Sequence, residues 1–186
     1  MMSTILEGVF DLEQKKMQVG FRPAVQDDIS SLQKLLVRYY AHGRSKELTD
    51  PPGLSVLIHN QAGETSVSGG MIWVAHDILN DEIVASFFLD FPNPDYAALQ
   101  FFLIQPELVK TALPYRIAKF ATSKAQEFGA RDICIWNDQR FTDIISCFSE
   151  LGYLPTGAKR AFDQEGSHYE EECYARSLWY QPEQSR

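Results

Sequence analysis

Between Gln105 and Arg116 the sequence reads QPELVKTALPYR, joining an apolar run to the start of a helix. A strand that ends in a short loop and leads straight into a helix leaves unpaired backbone N–H groups at one point, where the helix dipole adds positive potential. The chemistry suited to such a point is anion binding, a diphosphate above all. Lys110 and Thr111 lie inside the loop and add an ammonium and a hydroxyl, although the stretch holds no glycine. The same geometry serves as a plain crossover in many α/β proteins, so it defines a candidate and not yet a function. Other reactive residue types are scattered. Cys134, Cys147 and Cys173 are odd in number, lack C-x-x-C spacing and fall in apolar segments, which reads as buried free thiols. His42, His59 and His168 fall in polar loops and His76 in a hairpin, a pattern that calls for no metal.

These residues need a scaffold, and the composition supplies one. With 45% apolar and 23% charged residues over 186 positions, the chain is long enough for a sizeable core and fits one domain over 1–186, with 1–17 as an N-terminal extension. A formal charge of −8 opposes nucleic acid and anionic membrane surfaces, and no Lys/Arg cluster makes a local exception. The segment MMSTILEGVFDLEQKK has no basic region followed by an apolar run, and no segment is apolar enough to span a bilayer; the expected compartment is the cytoplasm.

Periodicity orders the elements. MQVGFRPAV reads as a strand, and QDDISSLQKLLVRYY puts Ile29, Leu32, Leu35, Leu36 and Tyr39 on one helical stripe capped by Asp27 or Asp28. The stretch from His42 to Gly70 is rich in breakers, with GLSVLIHN as one short helix. MIWVAHD, EIVASFFLDF and AALQFFLI follow as an antiparallel meander turning at ILND and NPDY. From Pro114, the apolar positions Ile117, Phe120, Ala121, Ala125 and Phe128 recur at helical spacing up to Gly129. RDICIWN is then a strand parallel to the last one. FTDIISCFSEL is a helix ending at Gly152, and YLPTGAKRAF with ECYARSLWY closes the chain as an antiparallel pair. The fold class is α/β, with a mixed, mostly antiparallel sheet flanked by helices.

From about Gln18 to Trp179, the order of elements and three landmarks, FRPAVQDDISSLQKLL, FFLIQPEL and FSELGYLPTG, resemble the GCN5-related N-acetyltransferase (GNAT) family. The resemblance implies splayed central strands, acetyl-CoA as acyl donor, and transfer of an acetyl or longer acyl group to a small-molecule or peptide amine in a ternary complex. It implies a diphosphate held by the backbone of Val109, Lys110, Thr111, Ala112, Leu113 and Tyr115, and a thioester carbonyl near the backbone of Leu103 and Ile104. The family's Arg or Gln, Gly, and Gly or Ala fall on Val109, Ala112 and Pro114, so one donor is lost at the proline and a methyl added at the alanine. The Asn that opens the family's last helix falls on Phe141, with Asn137 just upstream, and the Tyr that protonates the departing thiolate falls on Phe148.

An amine must shed a proton to attack, which nominates Asp90, with Gln100 beside it in order, as base; Tyr153 or water is left as acid. Tyr39 and Tyr40 would line the acceptor side. No metal is required, and a homodimer is a possible assembly. Two other readings fit the altered motif: a silent module that binds CoA, an acyl chain or a protein partner, and an acyltransferase whose donor rides on a carrier protein.

Overall fold

Residues 7–12, 16–43, 70–138, 142–164 and 167–179 are described by the computed structural model. In chain order the elements are β1 (Glu7–Leu12), β2 (Met17–Pro23), α1 (Ile29–Gly43), β3 (Met71–Asp77), β4 (Glu82–Asn93), β5 (Tyr96–Ile104), α2 (Leu113–Glu127), β6 (Asp132–Asp138), α3 (Thr142–Glu150), β7 (Leu154–Gln164) and β8 (Ser167–Ser177). The strands form one eight-stranded sheet in the order β1-β2-β3-β4-β5-β6-β8-β7. Every neighbouring pair is antiparallel except β5 with β6. That exception arises because α2 carries the chain from the end of β5 back to the start of a parallel neighbour.

The central strands are apolar on both sides because both sides are covered. On one face the α1 stripe Leu32, Leu35 and Leu36 packs on Ile72, Val74, Phe88 and Leu103. On the other, α2 and α3 bring Ile117, Ala121, Ile144 and Phe148 against Phe87, Leu89, Leu99 and Ile135. Ala118, Ala121 and Ala125 on α2 are fully buried, and their small side chains let the helix approach the sheet closely. Both helices end where the sequence puts a glycine. Gly129 (φ 87°) and Gly152 (φ 83°) take the left-handed conformation. Ala130 N–H reaches back to Ala125 O, and Tyr153 N–H to Phe148 O, closing each last turn.

Two expectations change. The carboxylate of Asp28 does not cap α1: it accepts from both guanidinium ends of Arg22 at 2.5 and 2.8 Å and from Val25 N–H at 2.8 Å, tying β2 to the 3-10 turn Gln26–Asp28 that precedes the helix. The segment read as an N-terminal extension contributes β1, which pairs with β2 and brings Phe10 to Phe21 at 5.6 Å. Its pattern is weak because Gly8 interrupts it at φ 66°, a conformation open to glycine, with a register shift between Glu7 and Phe10. The helix expected over GLSVLIHN lies outside the described residues.

Phe21 stacks on Phe120 of α2 at 4.4 Å and meets Phe87 edge-on at 6.4 Å, while Trp73 meets Phe120 at 5.0 Å. This aromatic cluster locks β1, β2, β3 and α2 together. Phe21→Ala is expected to lower unfolding free energy by about 3–5 kcal/mol, read as a fall in urea midpoint with the slope unchanged.

Candidate functional site

The parallel pairing of β5 with β6 runs from Tyr96↔Asp132 to Leu99↔Ile135 and stops there, although β5 continues to Ile104 and β6 to Asp138. Beyond that point each strand belongs to its other neighbour. Leu103 and Ile104 pair with Ser86 and Ala85 of β4, while Trp136, Asn137 and Asp138 pair with Cys173, Glu172 and Glu171 of β8. The strands therefore part, leaving a wedge in the middle of the sheet. Its cause is in β5: three residue steps from Gln100 to Leu103 face two from Phe88 to Ser86, a bulge that bends the strand and switches its facing. Gln105 N–H donates to Val84 O on β4. By alternation, Ile104 turns its N–H and C=O into the wedge, whereas those of Leu103 go to β4.

At the mouth of the wedge the chain enters the 3-10 turn Pro106–Leu108 and then α2. The six backbone positions of the sequence reading are not equivalent. Val109 N–H goes to Pro106 O at 3.4 Å, Thr111 N–H to Leu108 O at 3.0 Å, and Leu113 N–H to the Thr111 hydroxyl at 3.2 Å, which itself donates to Leu108 O at 2.6 Å. Lys110, Ala112 and Tyr115 keep their N–H groups without an acceptor among the described residues. Pro114 occupies the first helical turn, where its missing donor breaks no helix bond, and Leu113 and Pro114 are buried beneath the turn. The Lys110 side chain is exposed. Glu107 is the one acidic residue of the 3-10 turn, and Arg38 of α1 lies 3.4 Å from it and 3.6 Å from Glu82. Gln105 completes the link by donating to Glu82 at 2.7 Å.

On the α2 side of the wedge, Phe148 is fully buried against Phe102 of β5 at 5.6 Å and Tyr153 at 5.0 Å. Tyr153 is 1% exposed, and its hydroxyl shares a 2.8 Å hydrogen bond with Thr122 of α2. Burial pushes its pKa up to about 12 despite that bond. This placement gives Tyr153 a structural part, pinning α2 to the exit of α3; as a proton donor it would have to act from inside the core. Asn137 is buried on β6, and Phe141 lies outside the described residues.

The α1 side brings together residues that sequence spacing kept apart. Asp90, opposite Ala98, accepts from Phe91 N–H at 2.9 Å and lies 3.5 Å from the Gln100 amide nitrogen, so the two nominated residues are neighbours across β4 and β5. Facing them on β6 is Trp136, beneath the guanidinium of Arg160 at 4.5 Å. Arg160 also donates from Nε and Nη2 to one oxygen of Glu171, each at 2.6 Å. Sequence reading missed this trio, because its members sit on three different strands. The signal available was the cross-strand pairing of the closing hairpin, which sets Arg160 opposite Glu171. Below lies Cys134, next to Cys173 and Tyr96. Burial pushes its thiol up to about 11. The Tyr39 and Tyr40 side chains lie outside the described residues.

No protein-family model and no curated protein matches this sequence. Solved structures do match its fold. A GNAT-superfamily phosphinothricin acetyltransferase from Sinorhizobium meliloti, solved with acetyl-CoA, superposes with a TM-score of 0.67 at 14% identity, covering 86% of this chain and 88% of that one. The chain has the GNAT fold. An acetyltransferase of the GNAT family from Streptococcus pneumoniae gives 0.64 at 15% identity over 86% and 98% of the two chains. The spermidine/spermine N-acetyltransferase of Vibrio cholerae gives 0.63 at 13% over 87% and 95%. Among the described residues, no helix is long and apolar enough to cross a membrane.

Tyr153→Phe is expected to lower stability by about 0.5–1.5 kcal/mol, a modest loss because Thr122 stays bonded to Ala118 O at 2.7 Å. Folding should also weaken in alkali. Cys134 at about 11 against an ordinary 9.0, and Tyr153 at about 12 against 10.0, hold their protons in the folded chain after the unfolded chain has lost them. Stability is therefore full below about pH 9 and falls as pH rises through the window up to about 11–12. Urea midpoints across that window should drop, and the drop should shrink in Cys134→Ala.

Proposed function

We propose that the protein transfers an acetyl or longer acyl group from its coenzyme A thioester to a primary amine. The observation that carries this reading is the wedge that opens beyond Leu99 and Ile135, together with the open N–H groups of Lys110, Ala112 and Tyr115 where β5 leads into α2. A thioester arm fits an opening whose β5 wall offers backbone hydrogen bonds, and a diphosphate fits a helix start with free donors. The GNAT structures of similar fold that are named as acetyltransferases, one of them solved with acetyl-CoA, support the same reading.

The chain's residues then divide the work by face. The turn and the α2 N-terminus hold the diphosphate, with Lys110 adding charge and Arg38 offsetting Glu107. Ile104, through its backbone, orients the thioester carbonyl. From the α1 side Asp90 takes the ammonium proton of the acceptor, held in position by Phe91 N–H and Gln100. Direct attack by the amine on the carbonyl carbon expels the coenzyme thiolate. Phe148 has no proton to give and Tyr153 is committed to Thr122, so solvent water protonates the thiolate. Most of the rate enhancement then comes from positioning two reactants across the wedge. The loss of the phenol at Phe148 also suits a coenzyme-binding module without turnover, and the same measurements separate the two readings.

Calorimetry with acetyl-CoA and with free CoA should show binding of both, and a panel of primary amines should release free thiol. Binding without release from any amine favours the silent module, and no binding of either ligand removes the coenzyme altogether. Asp90→Asn should lower kcat by about 10²–10⁴ with little change in acetyl-CoA affinity. Arg38→Ala should weaken CoA binding by about two- to fivefold, and adding Glu107→Gln should restore it.

A further inference from the structure

The proposed transferase leaves its acceptor unspecified, and the α1-side wall of the wedge carries the information. Arg160 starts on β7, two strands away from the wedge, yet its guanidinium lies over Trp136 on β6, so the side chain reaches back across β8. Two contacts fix it there: the indole face below, and Glu171 at the side, taking Nε and Nη2 on a single oxygen. That leaves the Nη1 edge of the fork free among the described interactions, on a side chain 49% exposed. A stacked, clamped guanidinium with an open edge loses little further freedom on binding a planar anion, and it matches a carboxylate better than any point charge would. Beside the closed end of the wedge, on the same face of the sheet, Asp90 supplies the opposite chemistry, an acceptor for ammonium hydrogens, with Gln100 next to it.

We infer that the acceptor is an amine that also carries a carboxylate, its ammonium directed to Asp90 and its carboxylate to Arg160 stacked on Trp136. This rests on the transferase reading for the reaction but not for the recognition, which belongs to the acceptor wall alone. The wall excludes two alternatives by charge. A simple alkylamine would leave the guanidinium unanswered, and a polyamine would set a second cation against it. Glu171 does not cancel the effect: it shares one edge of the fork and leaves the other to the ligand.

The test uses linear ω-amino acids of increasing length and their carboxamides, with the purified full chain. Affinity is read by isothermal titration and by quenching of tryptophan fluorescence, with Trp136→Phe identifying the responding residue. Both are done with and without saturating CoA. At the best length the acid should bind about tenfold or more tightly than its amide, as a charge-assisted pair provides. Arg160→Gln should bring that ratio close to one, and Arg160→Lys should restore only part of it. In turnover the same ratio should appear in KM, with kcat little separated between acid and amide. Equal binding of acid and amide by the wild-type chain, tighter binding of the amide, or no binding of either up to high millimolar would each overturn the proposal. So would an Arg160→Gln chain that remains folded by circular dichroism and keeps the wild-type ratio. Failure of acetyl-CoA to bind would count against the transferase reading alone, because the acid-to-amide ratio is measured without it.

Discussion

Two parallel strands in the middle of a sheet ordinarily satisfy each other's backbone along their whole length. Here β5 and β6 do so over four residues and are then drawn to opposite sides, β5 by β4 and β6 by β8. The extra residue between Gln100 and Leu103 makes this divergence a stable state, because it bends β5 and lets its far end keep its bonds to β4. The result is backbone polarity that no neighbouring strand uses among the described residues. Such groups are costly to bury unanswered, so an opening of this kind suits a guest that extends the sheet.

The flanking helices are arranged around that opening. α1 packs over β4 and β5 on one face, and α2 and α3 fill the other, so the two faces of the wedge differ in chemistry. On the α2 side lie apolar rings and a helix start. On the α1 side lie Asp90, Gln100 and the Arg160 trio.

The sequence revealed most of the architecture and less of the site. Alternation and helical spacing are properties of contiguous residues, which is why β3 to β5, α2 and both glycine stops could be read directly. β1 escaped notice because its short pattern is broken by Gly8 and it becomes a strand only by pairing with β2. The turn could be located from QPELVKTALP, but which amides are free depends on how Thr111 folds back on Leu108, and that choice is made in three dimensions. Asp90 and Gln100 could be named singly, but their meeting follows from the β4–β5 register, which sets them diagonally across the pair on one face. The Arg160, Trp136 and Glu171 group is wholly a product of strand order, since β8 lies between the strands that carry the arginine and the indole.

The three alanines on the buried side of α2 set a limit on how this molecule adapts. With three methyl groups on the side of the helix that faces the sheet, alongside Ile117 and Phe120, there is little slack for α2 to slide or tilt. The helix is thus a rigid post, and its leading end stays where folding leaves it. Among the described residues, adjustment at that end then falls to the short bend from Gln105 to Ala112, and evolution can rewrite the bend while the post behind it stays the same.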